Sequence, residues 1–92
     1  MTYHEPRNEL SADARHMHMA IESLREELEA IDWYNQRVEV CRDEELKAIL
    51  VHNRDEEKEH ASMLIEWIRR NDPVMSKELK DFLFTTKSLS HD

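Results

Sequence analysis

Not one of the 92 residues is glycine. Two-residue β-hairpins and phosphate-cradling loops rely on positions where a missing Cβ permits left-handed backbone. A chain with few such positions is steered toward helices. Its one cysteine, Cys41, closes no internal disulfide, so packing rather than cross-linking must hold the fold. Ninety-two residues make one domain with a modest core, and a partner subunit is expected to complete it. The 21 acidic and 13 basic side chains leave a net charge of -8, which argues against nucleic acid as a partner. No apolar run approaches the length of a membrane span. The opening residues MTYHEPRNEL lack the basic-then-apolar order of a secretory signal, so an intracellular protein is expected.

Three helices can be read from caps and periodicity. Ser11 is a good N-cap with Asp13 in the first turn, and the helix it opens runs to about Cys41. Cys41-Arg42-Asp43 is a tight connection, with Asp43 capping a second helix that continues to about Asn71. Asp72-Pro73 pairs a cap with proline at the first helical position, opening a short third helix that ends near Phe84. Residues 1–10 and 85–92 read as flexible tails of a single domain spanning 1–92.

Steps of three and four put Ala14, Met17, Ile21, Leu24, Leu28, Ile31, Asn35 and Val38 on one face of the first helix. The same rule collects Leu46, Leu50, Asn53, Glu57, His60, Leu64 and Trp67 on the second. A short connection makes these helices an antiparallel hairpin. One hairpin cannot cover both of its apolar flanks, so the expected fold is all-α: a two-helix hairpin plus a short C-terminal helix, dimerising into a four-helix bundle. Met19, Met63, Trp33 and Trp67 are expected to pack in that core, and His16 and His18 to lie at the surface.

The apolar stripe of the second helix breaks at Asn53, Glu57 and His60. Beside the stripe of the first helix runs the column Ala20, Glu27, Tyr34, Cys41, in which Glu27 is the one charge. If the turn is centred between residues 42 and 43, facing residues have numbers summing to about 85. Glu27 then sits at the height of Glu57 and His60, within about one helical turn of roughly 5 Å. Glu57-x-x-His60 presents a carboxylate and an imidazole on one helix face. One lone glutamate plus one Glu-x-x-His pair is half the ligand set of a di-metal carboxylate bundle. A two-fold axis would supply the other half, and such oxygen-rich donors suit iron or manganese. The competing reading is a hydrogen-bonded Glu–His layer that only fixes helix register in a metal-free dimeric scaffold. Glu22, Glu26 and Glu29 form an outer acidic face, either simply solvated or a path for cations toward Glu27. Tyr34, one heptad beyond Glu27, either packs as an aromatic or hydrogen-bonds a metal ligand.

The stretches Glu26-Glu27-Leu28-Glu29-Ala30-Ile31-Asp32-Trp33-Tyr34 and His52-Asn53-Arg54-Asp55-Glu56-Glu57-Lys58-Glu59-His60-Ala61 closely resemble the encapsulated ferritins. The likeness is strongest over residues 20–72. It implies a helical hairpin whose dimer rebuilds a ferritin-like bundle, with five dimers in an open decameric ring. It implies a ferroxidase that oxidises Fe(II) with dioxygen and resides as cargo in an encapsulin shell. On this resemblance Glu27, Glu57 and His60 from both subunits hold a di-iron centre, two irons per dimer. Glu26, Glu29 and Trp33 match the family's metal-uptake site, and Tyr34 a residue flanking the centre. Such cargo usually carries a C-terminal shell-targeting peptide, which residues 84–92 do not match. Peroxide-scavenging di-iron bundles are the alternative that keeps the metal and changes the substrate.

Overall fold

The computed structural model describes residues 3–90. The chain forms helix α1 (Ala12–Val40), helix α2 (Glu44–Asn71) and helix α3 (Pro73–Phe82), preceded by one 3-10 turn at Arg7–Glu9. No strand occurs among the described residues. No helix is long and apolar enough to cross a membrane. Of the two expected tails, residues 1, 2, 91 and 92 lie outside the described residues.

The helix starts are set by the anticipated side chains. Ser11 Oγ accepts the Ala14 N–H at 3.1 Å, and Asp43 Oδ1 accepts the Leu46 N–H at 2.8 Å. Asp72 Oδ1 takes two donors, the N–H groups of Val74 and Met75 at 3.1 and 3.0 Å. Each cap satisfies amide groups that a helix leaves without partners at its first turn. The far end of α3 differs from expectation: the helix stops at Phe82 rather than Phe84. Phe84 takes the left-handed conformation, at φ 59°, that glycine would supply at a helix end. A chain without glycine must place a residue bearing a Cβ there, and Phe84 is fully exposed.

α1 and α2 pack as an antiparallel hairpin, and α3 folds back on α2. Leu24, Ile65, Ile68, Met75 and Leu79 converge where the three helices meet. A polar clasp closes the α2–α3 corner. Arg69 donates to both Glu66 oxygens at 2.6 and 2.7 Å and to Ser76 Oγ at 3.1 Å, while Arg70 donates to Glu66 at 2.7 Å. The hydrogen bonds from Arg69 and then Arg70 hold the Glu66 carboxyl at a pKa of about 2, below its ordinary 4.5.

The hairpin seam corrects the expected heptad. On α1 the buried and half-buried series along the seam is Met17, Ala20, Leu24, Glu27, Ile31, Tyr34 and Val38, continued by Cys41 at the C-cap. On α2 the matching series is Leu50, Arg54, Glu57, Ala61, Leu64 and Ile68. Four of the eight residues of the expected α1 stripe and three of the seven of the α2 stripe lie in this seam. The others lie on its flanks: Ile21 and Leu28 on α1, and Leu46, His60 and Trp67 on α2, are exposed. The physical reason is that each helix has more apolar surface than one neighbour can cover, so the geometric centre of the stripe is not the contact line. Met19 and Met63 are likewise exposed rather than packed within the chain, at 59% and 63%. Trp33 and Trp67 keep 49% and 38% of their surface in solvent. His18 is half-buried rather than a surface group, because the Tyr3 ring lies 4.3 Å from its own.

Candidate metal centre

Glu27 reaches the site from the middle of α1, and Glu57 and His60 from successive turns of α2. Glu27 and Glu57 are seam residues, flanked by Ala20 and Ala61, whose small side chains let the helices approach. His60 lies one step out of the seam on the exposed flank. Its Nδ1 stands 3.6 Å from Glu27 Oε2 and 3.6 Å from Glu57 Oε2. One donor atom from each of the three residues falls within 4.8 Å of the others. Among the described residues this is the one group of three or more acidic, histidine or cysteine side chains so arranged.

The electrostatics of this cluster are unbalanced. Glu27 Oε2 is buried and accepts no hydrogen bond. A carboxylate oxygen cut off from water without a donor costs free energy unless a positive charge or a proton meets it. At 3.6 Å the His60 imidazole is too distant for a hydrogen bond. Two carboxylates and an imidazole suit a divalent cation of the iron or manganese kind. The cluster also opens outward, since the His60 side chain is 47% exposed while Glu27 and Glu57 are about a quarter exposed.

The other expected residues fall into two places. Glu26, Glu29 and Trp33 lie on the exposed side of α1, with no direct place in the cluster. Tyr34 lies in the seam, two helical turns from Glu27, about 10 Å along the axis. Its ring sits under Arg37, whose guanidinium carbon is 5.3 Å from the Tyr34 centroid and 6.0 Å from that of Trp33. Spacing could have flagged Arg37, three and four residues beyond the two rings. Reading the sequence also passed over the contact of Arg54 with Asn35 across the hairpin, at 3.5 Å. Arg54 is a charged residue in a seam position, which only the corrected heptad reveals. Cys41 is a free thiol, as expected.

The family model described as EncFtn-like matches residues 2–86. This chain belongs to the EncFtn-like family. The match bears out the resemblance to encapsulated ferritins. The chain is 56% identical over 82 residues to the encapsulated ferritin-like protein of Rhodospirillum rubrum, covering 89% of this chain and 59% of that one. It is 51% identical over 88 residues to the ferritin-like protein of Thermotoga maritima, covering 96% and 77%. An encapsulin nanocompartment cargo protein of Myxococcus xanthus is 36% identical over 83 residues, covering 86% and 62%. The chain therefore spans about three fifths of the first of these relatives. A crystal structure of a Nitrosomonas europaea protein superposes with a TM-score of 0.95 at 68% identity, covering 99% of this chain and all of that one. The all-α hairpin of this EncFtn-like chain is thus shared with a protein of known structure.

Proposed function

We propose that this EncFtn-like chain is a ferroxidase, and that two copies build one di-iron centre. The observation that carries the reading is the orphaned Glu27 oxygen beside Glu57 and His60. A single chain offers three ligands, too few to enclose two metal ions. Joining two clusters about a two-fold axis gives four carboxylates and two imidazoles. Their four negative charges balance two ferrous ions.

The exposed flank of the hairpin supports the pairing. His60 sits at the middle of a face carrying Leu46 and Ile49 toward one end and Met63 and Trp67 toward the other, all exposed. Residues His60 and Trp67 are seven apart and so share this face. Apolar ends around a polar centre would exclude water from the cluster when a second copy covers them. The family resemblance gives Tyr34, one heptad beyond Glu27, a place flanking the centre.

Iron enters this account as substrate. The outer acidic residues Glu26 and Glu29, beside Trp33, raise the local concentration of Fe(II). Glu57 and Glu27 hold a pair of ions close together, with His60 supplying one nitrogen to each. Each of two ferrous ions would give one electron to dioxygen, which with two protons from water would leave as hydrogen peroxide, with two Fe(III) ions and two hydroxides remaining. The carboxylates stabilise the added positive charge. The names of relatives from Rhodospirillum and Myxococcus support a place as encapsulin cargo. A decameric ring of five dimers within a cytoplasmic encapsulin shell completes the proposal. The test is the initial rate of Fe(II) oxidation in Glu27→Ala, Glu57→Ala and His60→Ala. Each should be strongly reduced, and three unchanged rates would defeat the assignment. Faster iron oxidation with peroxide than with dioxygen would favour a scavenging role instead.

A further inference from the structure

A permanent cation stands next to the candidate metal centre. Arg54 occupies the seam one turn before Glu57, and residues three apart on a helix have Cβ atoms about 5–6 Å from each other. Its side chain is only 22% exposed. Such an arginine has an obvious partner in the Glu57 carboxylate, yet the two form no ion pair. The guanidinium is turned elsewhere: Nε donates to Asp55 at 3.3 Å, and Nη1 donates across the hairpin to Asn35 Oδ1 at 3.5 Å. Glu57 is left facing His60.

Arg54 and His60 are six residues apart, which places them about 120° apart around α2. Arg54 is therefore on the side of the seam away from the opening of the cluster. Asp55 is 58% exposed and holds its end of the contact in water, where an ion pair is weak. Asn35 is the acceptor offered by the facing helix, and it is fixed by a different backbone. Its place in an otherwise apolar series has no packing rationale, since an exposed amide at this position buries nothing.

We infer that Asn35 is a positioning residue that holds the Arg54 guanidinium off Glu57, keeping that carboxylate available to metal. A guanidinium released from Asn35 would have Glu57, one turn along the same helix and only 25% exposed, as an anion within its reach. It would then compete with a divalent cation for the same oxygen atoms. The inference rests on the metal-centre reading above and extends it to a residue that touches no metal.

Cobalt(II), which binds such donors without reacting with dioxygen on the time scale of a titration, is the probe. Its affinity for the full chain is measured by calorimetry. The wild-type titration tests the centre itself: no uptake would end both readings. Asn35→Leu should bind cobalt(II) about five-fold more weakly, the scale of one partly screened ion pair to be broken. Asn35→Asp, which offers Arg54 a charged acceptor, should bind at least as tightly as wild type. The double variant Asn35→Leu/Arg54→Leu should recover wild-type affinity to within about two-fold, because the competitor is gone. A merely structural Asn35–Arg54 bond gives the opposite order, with the double variant no better than Asn35→Leu. That result, or wild-type affinity in Asn35→Leu, would overturn the inference while leaving the metal centre standing.

Discussion

Glu27 approaches His60 to 3.6 Å from the opposite helix, but its buried Oε2 accepts no hydrogen bond. The chain thus holds a carboxylate in a position that its own donors do not satisfy. Such an arrangement destabilises the metal-free protein and favours a cation.

Stability and metal binding should therefore respond oppositely to Glu27→Gln. The amide keeps the shape and removes the uncompensated charge, so the metal-free variant should be more stable by about 1 kcal/mol. Thermal unfolding in chelator measures that gain. Divalent-ion affinity should fall at least about ten-fold, a loss seen even when only an outer partner of a metal ligand is removed.

The apolar ends of the His60 face predict an assembly defect. Trp67→Glu or Met63→Glu places charge where a second copy would bury a large side chain. Analytical ultracentrifugation should show a shift toward monomer, with Fe(II) oxidation falling in parallel. Helix content should stay unchanged, because both side chains are already exposed in the single chain.

The α2–α3 corner should loosen in acid. Glu66 has a folded-state pKa of about 2 against an ordinary 4.5, so its contribution is complete above about pH 4.5. It is lost as the pH falls from there toward 2. The protection of α3 amides, their exchange rate relative to that of the unstructured chain at the same pH, should fall over that range in the wild-type chain. In Glu66→Gln the protection should be low already at pH 6 and should not change further through Glu66.

Phe84→Gly should be tolerated or mildly stabilising. It removes a left-handed strain of roughly 1–2 kcal/mol and adds a chain-entropy cost of about 0.5–1 kcal/mol. No packing is lost, since the ring is fully exposed. The net of about 0–1.5 kcal/mol corresponds to a melting temperature between unchanged and about 10 °C higher for a chain of this size.

Helix starts were legible because Ser11, Asp43 and Asp72 act locally, through amides two or three residues away. The heights of Glu27, Glu57 and His60 were legible because a three-residue connection leaves the hairpin register little freedom. The rotation of each helix about its axis was not. Ile21 and Leu28 look like core from spacing, but the stripe is wider than one neighbour can cover. The preference for the line through Ala20 and Ala61 depends on how closely two backbones can approach, a property of the pair of helices. Arg54 was missed for the same reason, since its seam position follows only from that rotation. The end of α3 was misplaced because Phe84 carries no glycine-like signal for the left-handed backbone it adopts.

The central claim is that two chains share one iron pair. Native mass spectrometry of the protein titrated anaerobically with Fe(II) reads subunit number and iron number in the same spectrum. Two irons on each pair of chains, and none held by the monomer, are expected. Iron held by isolated monomers at equal affinity, or pairs of chains that take up none, would contradict it.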